Sequence, residues 1–160
     1  MREKILGYIE KNSRVNMKEL AVLLGMNEVD VANELAAMEA EGIICGYHTL
    51  IDWDKVTEDR VSALIEVRVT PQRGKGFDDI AERIYKYPEV EATYLISGGY
   101  DLLVILEGKS LRQISTFVSE KLSTLDSVIS TATHFVLKKY KDHGTIMHQK
   151  YEDERIMMTP

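Results

Sequence analysis

The sequence predicts an α+β protein in two parts: three short helices over roughly the first 45 residues, then a sheet domain with elements in the order β-α-β-β-α-β. Three observations carry this. Apolar residues in the N-terminal third recur at helical spacing and are punctuated by Asn16, Gly25 and Gly42. From Val61 the period switches to two, and β-branched runs alternate with two further helical segments. The 160 residues can fill two small cores, and the one cysteine, Cys45, leaves no internal disulfide to staple either.

In the first segment Ile5, Leu6 and Ile9 share a face, with Glu3, Lys4, Glu10 and Lys11 around it. After the break "NSRVN", Asn16 caps a second helix, with Glu19 three residues on as a capping-box variant; Leu20, Leu23 and Leu24 supply its apolar positions up to Gly25. Asn27 caps a third helix, whose Val31, Leu35 and Met38 fall on one side until Gly42. A three- to four-residue turn between the second and third helices is the helix-turn-helix pattern. The following "IICGYHTLIDW" is β-branched and aromatic enough to be extended, as a wing or as a strand leading out of the unit.

"RVSALIEVRV" reads as a half-buried strand, because Val61, Ala63, Ile65, Val67 and Val69 alternate with mostly polar neighbours. The loop "PQRGKG" leads to a helix with Phe77, Ile80, Ile84 and Tyr87 inward, closed by Pro88. "VEATYLIS" and "YDLLVILEG" are strands joined at Gly98 and Gly99, a two-residue hairpin turn by composition, and the second is apolar on both faces as a central strand would be. Ser110 and Gln113 form a capping box for a helix with Leu111, Ile114, Val118 and Leu122 inward, and "SVISTATHFVLKKY" is the last strand. The β-α-β-β-α-β order is that of a ferredoxin-like sheet with two helices on one face. The expected boundaries are a helix-turn-helix domain at 1–46, a connecting strand or linker at 47–59, the ferredoxin-like domain at 60–141 and a tail at 142–160.

No stretch approaches the roughly 20 apolar residues of a membrane span, and Met1 to Lys11 is charged and amphipathic rather than a signal peptide. With one cysteine the default setting is reducing and cytoplasmic. The formal charge of -6 means that nucleic acid would have to be met by a local patch. Little supports catalysis: Cys45 has only His48 nearby and reads as a small hydrophobe, and the carboxylates are scattered over helix exteriors. "PQRGKG" lacks the phosphate-loop pattern. His143 and His148 are poorly spaced for a metal, so neither metal nor cofactor is called for.

"LAVLLGM" leading into "MEAEGIICGY", "SGGYDLLVIL" with its Gly-x-Tyr-Asp hairpin, and "TATHFVLKKYK" as a final strand together resemble the Lrp/AsnC family of transcriptional regulators, over nearly the whole chain. The resemblance implies homodimers that pair through the sheet domains, often assembled into rings. It also implies an amino acid or similar small effector, bound where dimers meet.

The third helix carries five carboxylates and no Lys or Arg over residues 27–44. With Val31, Leu35 and Met38 inward, Val29, Asn33, Ala36, Ala37 and Ala40 point outward; Glu28 and Glu39 lie on one flank, Asp30, Glu34 and Glu41 on the other. Where the family usually places an arginine, this chain has Glu34, a loss of cation and an added repulsion. The remaining DNA-binding candidates are Asn33 for an adenine edge, Arg14 and Lys18 for phosphates at the start of the second helix, and Asn27 at the cap of the third. Two readings stand: a regulator that binds DNA, or a sensing and assembly protein whose acidic helix-turn-helix contacts protein. For the effector, Asp101 offers a carboxylate to an α-amino group, Gly98 and Gly99 allow close approach, and Thr131 and Thr133 offer hydroxyls from one strand face. The family's effector contacts lie around this hairpin and strand, so the resemblance extends the set to Gly98, Gly99, Tyr100, Asp101, Thr131 and Thr133.

Overall fold

The computed structural model describes residues 1–56, 59–71 and 73–147. The chain divides into two compact units, Met1–Ile51 and a second from Asp52 onward.

The first unit holds α1 (Arg2–Ile9), α2 (Met17–Leu24) and α3 (Glu28–Ala40). Asn16 and Asn27 start α2 and α3 as the sequence predicts. Each is extended and uses its side-chain oxygen to accept from the N–H two residues on, Lys18 at 2.9 Å and Val29 at 3.1 Å. Gly25 ends α2 in the left-handed region at φ 65°, with the Met26 N–H reaching back to Ala21 O at 2.9 Å. Ile5, Leu20, Val31, Leu35 and Met38 close the small core between the three helices. Gly25→Ala is expected to cost about 1 kcal/mol through the strained backbone, read as a lower urea midpoint for this unit.

"IICGYHTLIDW" forms no strand. Residues 43–52 carry no sheet assignment, and Trp53–Lys55 make one 3-10 turn. A strand needs a partner ladder, and β propensity alone supplies none.

The second unit is built on β1 (Val61–Val69), α4 (Asp78–Tyr85), β2 (Val90–Leu95), β3 (Leu102–Gly108), α5 (Leu111–Phe117) and β4 (Val128–Phe135). α5 runs on through a π turn, Val118–Leu122. The sheet is antiparallel in the order β2-β3-β1-β4, which puts the doubly apolar β3 inside. Ala63, Ile65, Val67 and Val69 of β1 and Leu102, Val104 and Leu106 of β3 bury one face against Ile80 and Ile84 of α4 and Ile114 and Phe117 of α5. The Ser110 hydroxyl caps α5 by accepting from the Gln113 N–H at 3.1 Å; Gln113 reaches back to Lys109 N–H at 2.7 Å, one residue further than a regular capping box. From the π turn, Lys121 bonds Glu89 at 2.8 Å and lies over the rings of Tyr87 and Phe117.

Among the described residues no helix of this unit covers the opposite sheet face. Register sets Ala92, Ile105, Leu64 and His134 in one row across it and Tyr94, Leu103, Glu66 and Ala132 in the next. The tail begins with a small hairpin, β5 (Lys141–Asp142) and β6 (Thr145–Ile146), turned by His143 at φ 44° and Gly144 at φ 77°. His148 and the rest of the predicted tail lie outside the described residues.

Candidate functional site

In the first unit α3 presents Val29, Asn33, Ala36 and Ala40 to solvent, while Ala37 is half-buried. This is the outward strip that the helical period predicts. The carboxylates beside it are differently disposed from what composition suggests. Arg2, first residue of α1, donates from Nε to Glu34 at 2.8 Å and from its two terminal nitrogens to the two oxygens of Glu41, at 2.7 and 3.0 Å. On the other flank the Tyr47 hydroxyl donates to Glu39 at 2.7 Å.

So three of the five carboxylates are taken up by donors of their own unit. The bond from Arg2 outweighs desolvation and, with a smaller contribution from its charge, holds Glu41 below the usual carboxylate range. The arginine is held still more firmly protonated, by Glu41 first and Glu34 second. Bonding to Glu39, then burial, raises the Tyr47 phenol above its ordinary value. Glu34, expected as an uncompensated charge toward DNA, is therefore met by a cation that the sequence reading did not pair with it. Glu28 and Asp30 stand in the first turn of α3, where acid suits the helix dipole.

Arg14, Lys18, Asn27 and Asn33 are all exposed. Arg14 sits in the loop before α2, its backbone N–H donating to Asn12 at 3.1 Å, and Lys18 stands in the first turn of α2. Asn27 spends its carbonyl oxygen on the α3 cap, a bond in which its amide NH2 takes no part.

In the second unit, the loop between β2 and β3 runs over residues 96–101 and is closed by Ile96 N–H donating to Asp101 O at 2.8 Å. It is thus longer than the two-residue turn predicted from Gly98-Gly99, and neither glycine adopts positive φ. The physical reason is Asp101. Its N–H donates to Val67 O at 3.1 Å and its Oδ2 accepts from the Val69 N–H at 2.9 Å, so the start of β3 is tied to β1 rather than to a tight turn. A side chain would meet open space at Gly99 and only Ile96 Cγ2, at 4.0 Å, at Gly98. Among the described residues neither packing nor backbone demands glycine there.

Thr131 and Thr133 share one strand face as expected. They pair with Val67 and Ile65 and therefore lie on the helix-covered side, half-buried, with Thr131 Oγ1 3.4 Å from Ser123 Oγ. Topology brings Asp101 and Thr131 to one end of the sheet, on either side of β1 and about 10 Å apart by strand spacing. Thr133 stands two residues deeper. Among the described residues no His, Cys, Asp and Glu group can hold a metal, and no helix is long and apolar enough to cross a membrane.

A helix-turn-helix unit followed by a four-stranded sheet with its helices on one face is an architecture that two-unit transcription regulators use. The comparisons carry this further. The profile of the Lrp/AsnC ligand binding domain matches residues 62–146. The uncharacterized HTH-type transcriptional regulator YugG of Bacillus subtilis is 46% identical over 158 residues, covering 98% of this chain and 95% of its own. A proline dehydrogenase transcriptional activator of Rhodobacter capsulatus is 30% identical over 135 residues, covering 84% and 87%. Among solved structures, a transcriptional regulator of Neisseria meningitidis in complex with L-Met superposes with a TM-score of 0.71 at 25% identity, covering 91% of this chain and 93% of that one. The chain belongs to the Lrp/AsnC family of transcriptional regulators.

Proposed function

We propose that the chain regulates transcription by seating α3 in the DNA major groove, as a homodimer joined through the open sheet face, with DNA binding set by an amino acid held at the Gly98–Asp101 end of the sheet. The observation that carries the DNA contact is the exposed strip of α3 with its flanking carboxylates Glu34, Glu41 and Glu39 drawn onto Arg2 and Tyr47. Asn33 has the donor and acceptor that match adenine N7 and N6, the alanines and Val29 suit thymine methyls, and Arg14 and Lys18 serve phosphates. A helix-turn-helix turned to protein partners instead rests on the same small-residue strip with acidic rims to set the partner's charge, and three of the five rim carboxylates are bound within the unit.

For the effector, support comes from two glycines that nothing among the described residues requires, and from the Neisseria regulator's complex with L-Met. A ligand approaching the backbone at Gly98 and Gly99 gives those positions a reason. Tyr100 flanks them, and Asp101 and Thr131 frame the same end of the sheet. The test is selection of genomic fragments at low salt, followed by rebinding in the presence of each common amino acid. A reproducible site is expected, with affinity that falls as salt rises, that drops about tenfold for Asn33→Ala and that shifts with at least one amino acid. Failure to enrich any fragment overturns the DNA reading; enrichment indifferent to every amino acid overturns the effector reading alone.

A further inference from the structure

Glu34 and Glu41 stand two helical turns apart on one flank of α3, and a single guanidinium from another helix spans both. Arg2 uses Nε for Glu34 and a two-pronged contact for Glu41, a geometry that a lysine ammonium, with its compact charge, does not reproduce. The three side chains are 39%, 35% and 49% exposed, so the cluster adds little to stability. Its location accounts for it better. The flank lies beside the strip that the proposed function sets against DNA, where two unscreened carboxylates would face phosphates within a Debye length.

We infer that Arg2 is a positioning residue for nucleic-acid binding: it folds Glu34 and Glu41 back onto α1 and halves the negative charge that this pair offers to the phosphate backbone. The inference rests on the DNA contact proposed for α3. It assigns α1 a part in DNA affinity although Arg2 itself touches no DNA, and it explains how a recognition helix without Lys or Arg remains usable. Masking is independent of base sequence, so it is measurable on any duplex.

The full-length chain is titrated against a labelled random-sequence duplex of about 30 base pairs at about 50 mM salt and again at higher salt. Arg2→Gln is expected to bind about tenfold more weakly at low salt, with the difference shrinking as salt rises. The triple variant Arg2→Gln/Glu34→Gln/Glu41→Gln still lacks the charged clamp but also lacks the carboxylates, and is expected to bind at least as well as the wild type. A merely structural clamp predicts the reverse, with the triple variant as weak as Arg2→Gln. If Arg2→Gln does not fold, as judged by circular dichroism, Glu34→Gln/Glu41→Gln with Arg2 intact decides the matter, since masking requires it to match or exceed the wild type. Wild-type binding that Arg2→Gln leaves unchanged, or a triple variant that stays weak, overturns the masking role alone. No wild-type binding at low salt overturns the DNA reading and the inference with it.

Discussion

Ile105→Lys is expected to turn the proposed homodimer into a monomer without unfolding the sheet. Ile105 stands on the face away from α4 and α5, in the row Ala92, Ile105, Leu64, His134, next to the row Tyr94, Leu103, Glu66, Ala132. The middle of both rows is largely apolar, and the imidazole–carboxylate contact in these rows, His134 Nε2 with Glu66 at 3.3 Å, joins β4 to β1. A sheet face of this kind is normally covered, and a second copy of the same sheet packed face to face covers it with self-complementary chemistry. An ammonium placed at its centre would have to be buried unpaired, once from each copy, at about 3–5 kcal/mol apiece. That weakens association by several orders of magnitude. Ile105 contributes nothing to the helix-side core, so secondary structure should persist. Sedimentation is the check: the wild type at twice the 18.2 kDa chain mass or a multiple of that, the variant at the single mass. A variant that keeps the wild-type mass would sink the open-face pairing.

Much of the fold was legible because its signals are local. Asn16, Asn27 and Ser110 each start a helix by lending a side-chain oxygen to an N–H two or three residues on, a bond that needs nothing from the rest of the chain. The change of period at Val61 and the doubly apolar run in β3 likewise report burial directly. What escaped was set by pairing at a distance. "IICGYHTLIDW" has the composition of a strand, yet none of the described residues offers it a ladder. The Gly98-Gly99 pair has the composition of a tight turn, and the loop is nonetheless lengthened by the tie from Asp101 to β1. By contrast the tail hairpin had a local signal in "DHGT", whose His143 and Gly144 both take positive φ.

The site divides along the same line. The helical period placed Val31, Leu35 and Met38 inside and put Glu34 and Glu41 on one flank, which is as far as periodicity reaches. It gives no sign that α1 would lay Arg2 across that flank, because the crossing of two helices depends on packing between residues more than thirty positions apart. Tyr47 meeting Glu39 was closer to readable, eight residues on and just past the Gly42 stop. Thr131 and Thr133 were read correctly as one face. Which face follows only from their register with Val67 and Ile65.

Asp101→Ala is expected to destabilise the second unit by about 2–3 kcal/mol, in contrast to the near-neutral effect of removing a carboxylate that only waits for a ligand. The pairing of β1 with β3 ends at Val67 and Leu102, and β1 slips register against β4 between Arg68 and Val69. Val69, with 3% of its surface exposed, thus has an N–H that the β3 ladder does not reach. Asp101 Oδ2 supplies the acceptor at 2.9 Å, while its own N–H and C=O bond Val67 and Ile96. Truncation leaves a buried donor without a partner and loses a charge-assisted bond, which sets the size of the loss. For a protein of this length that corresponds to a fall in Tm of about 5–10 °C. Asp101→Asn keeps an acceptor in place and is expected to recover more than half of the loss. If Asp101 served chiefly to pair an effector's amino group, both variants would keep the wild-type Tm and lose only the stabilisation that a bound amino acid adds. Melting each variant with and without amino acid separates the two roles. An unchanged Tm for Asp101→Ala would show that the tie to β1 does not hold the loop.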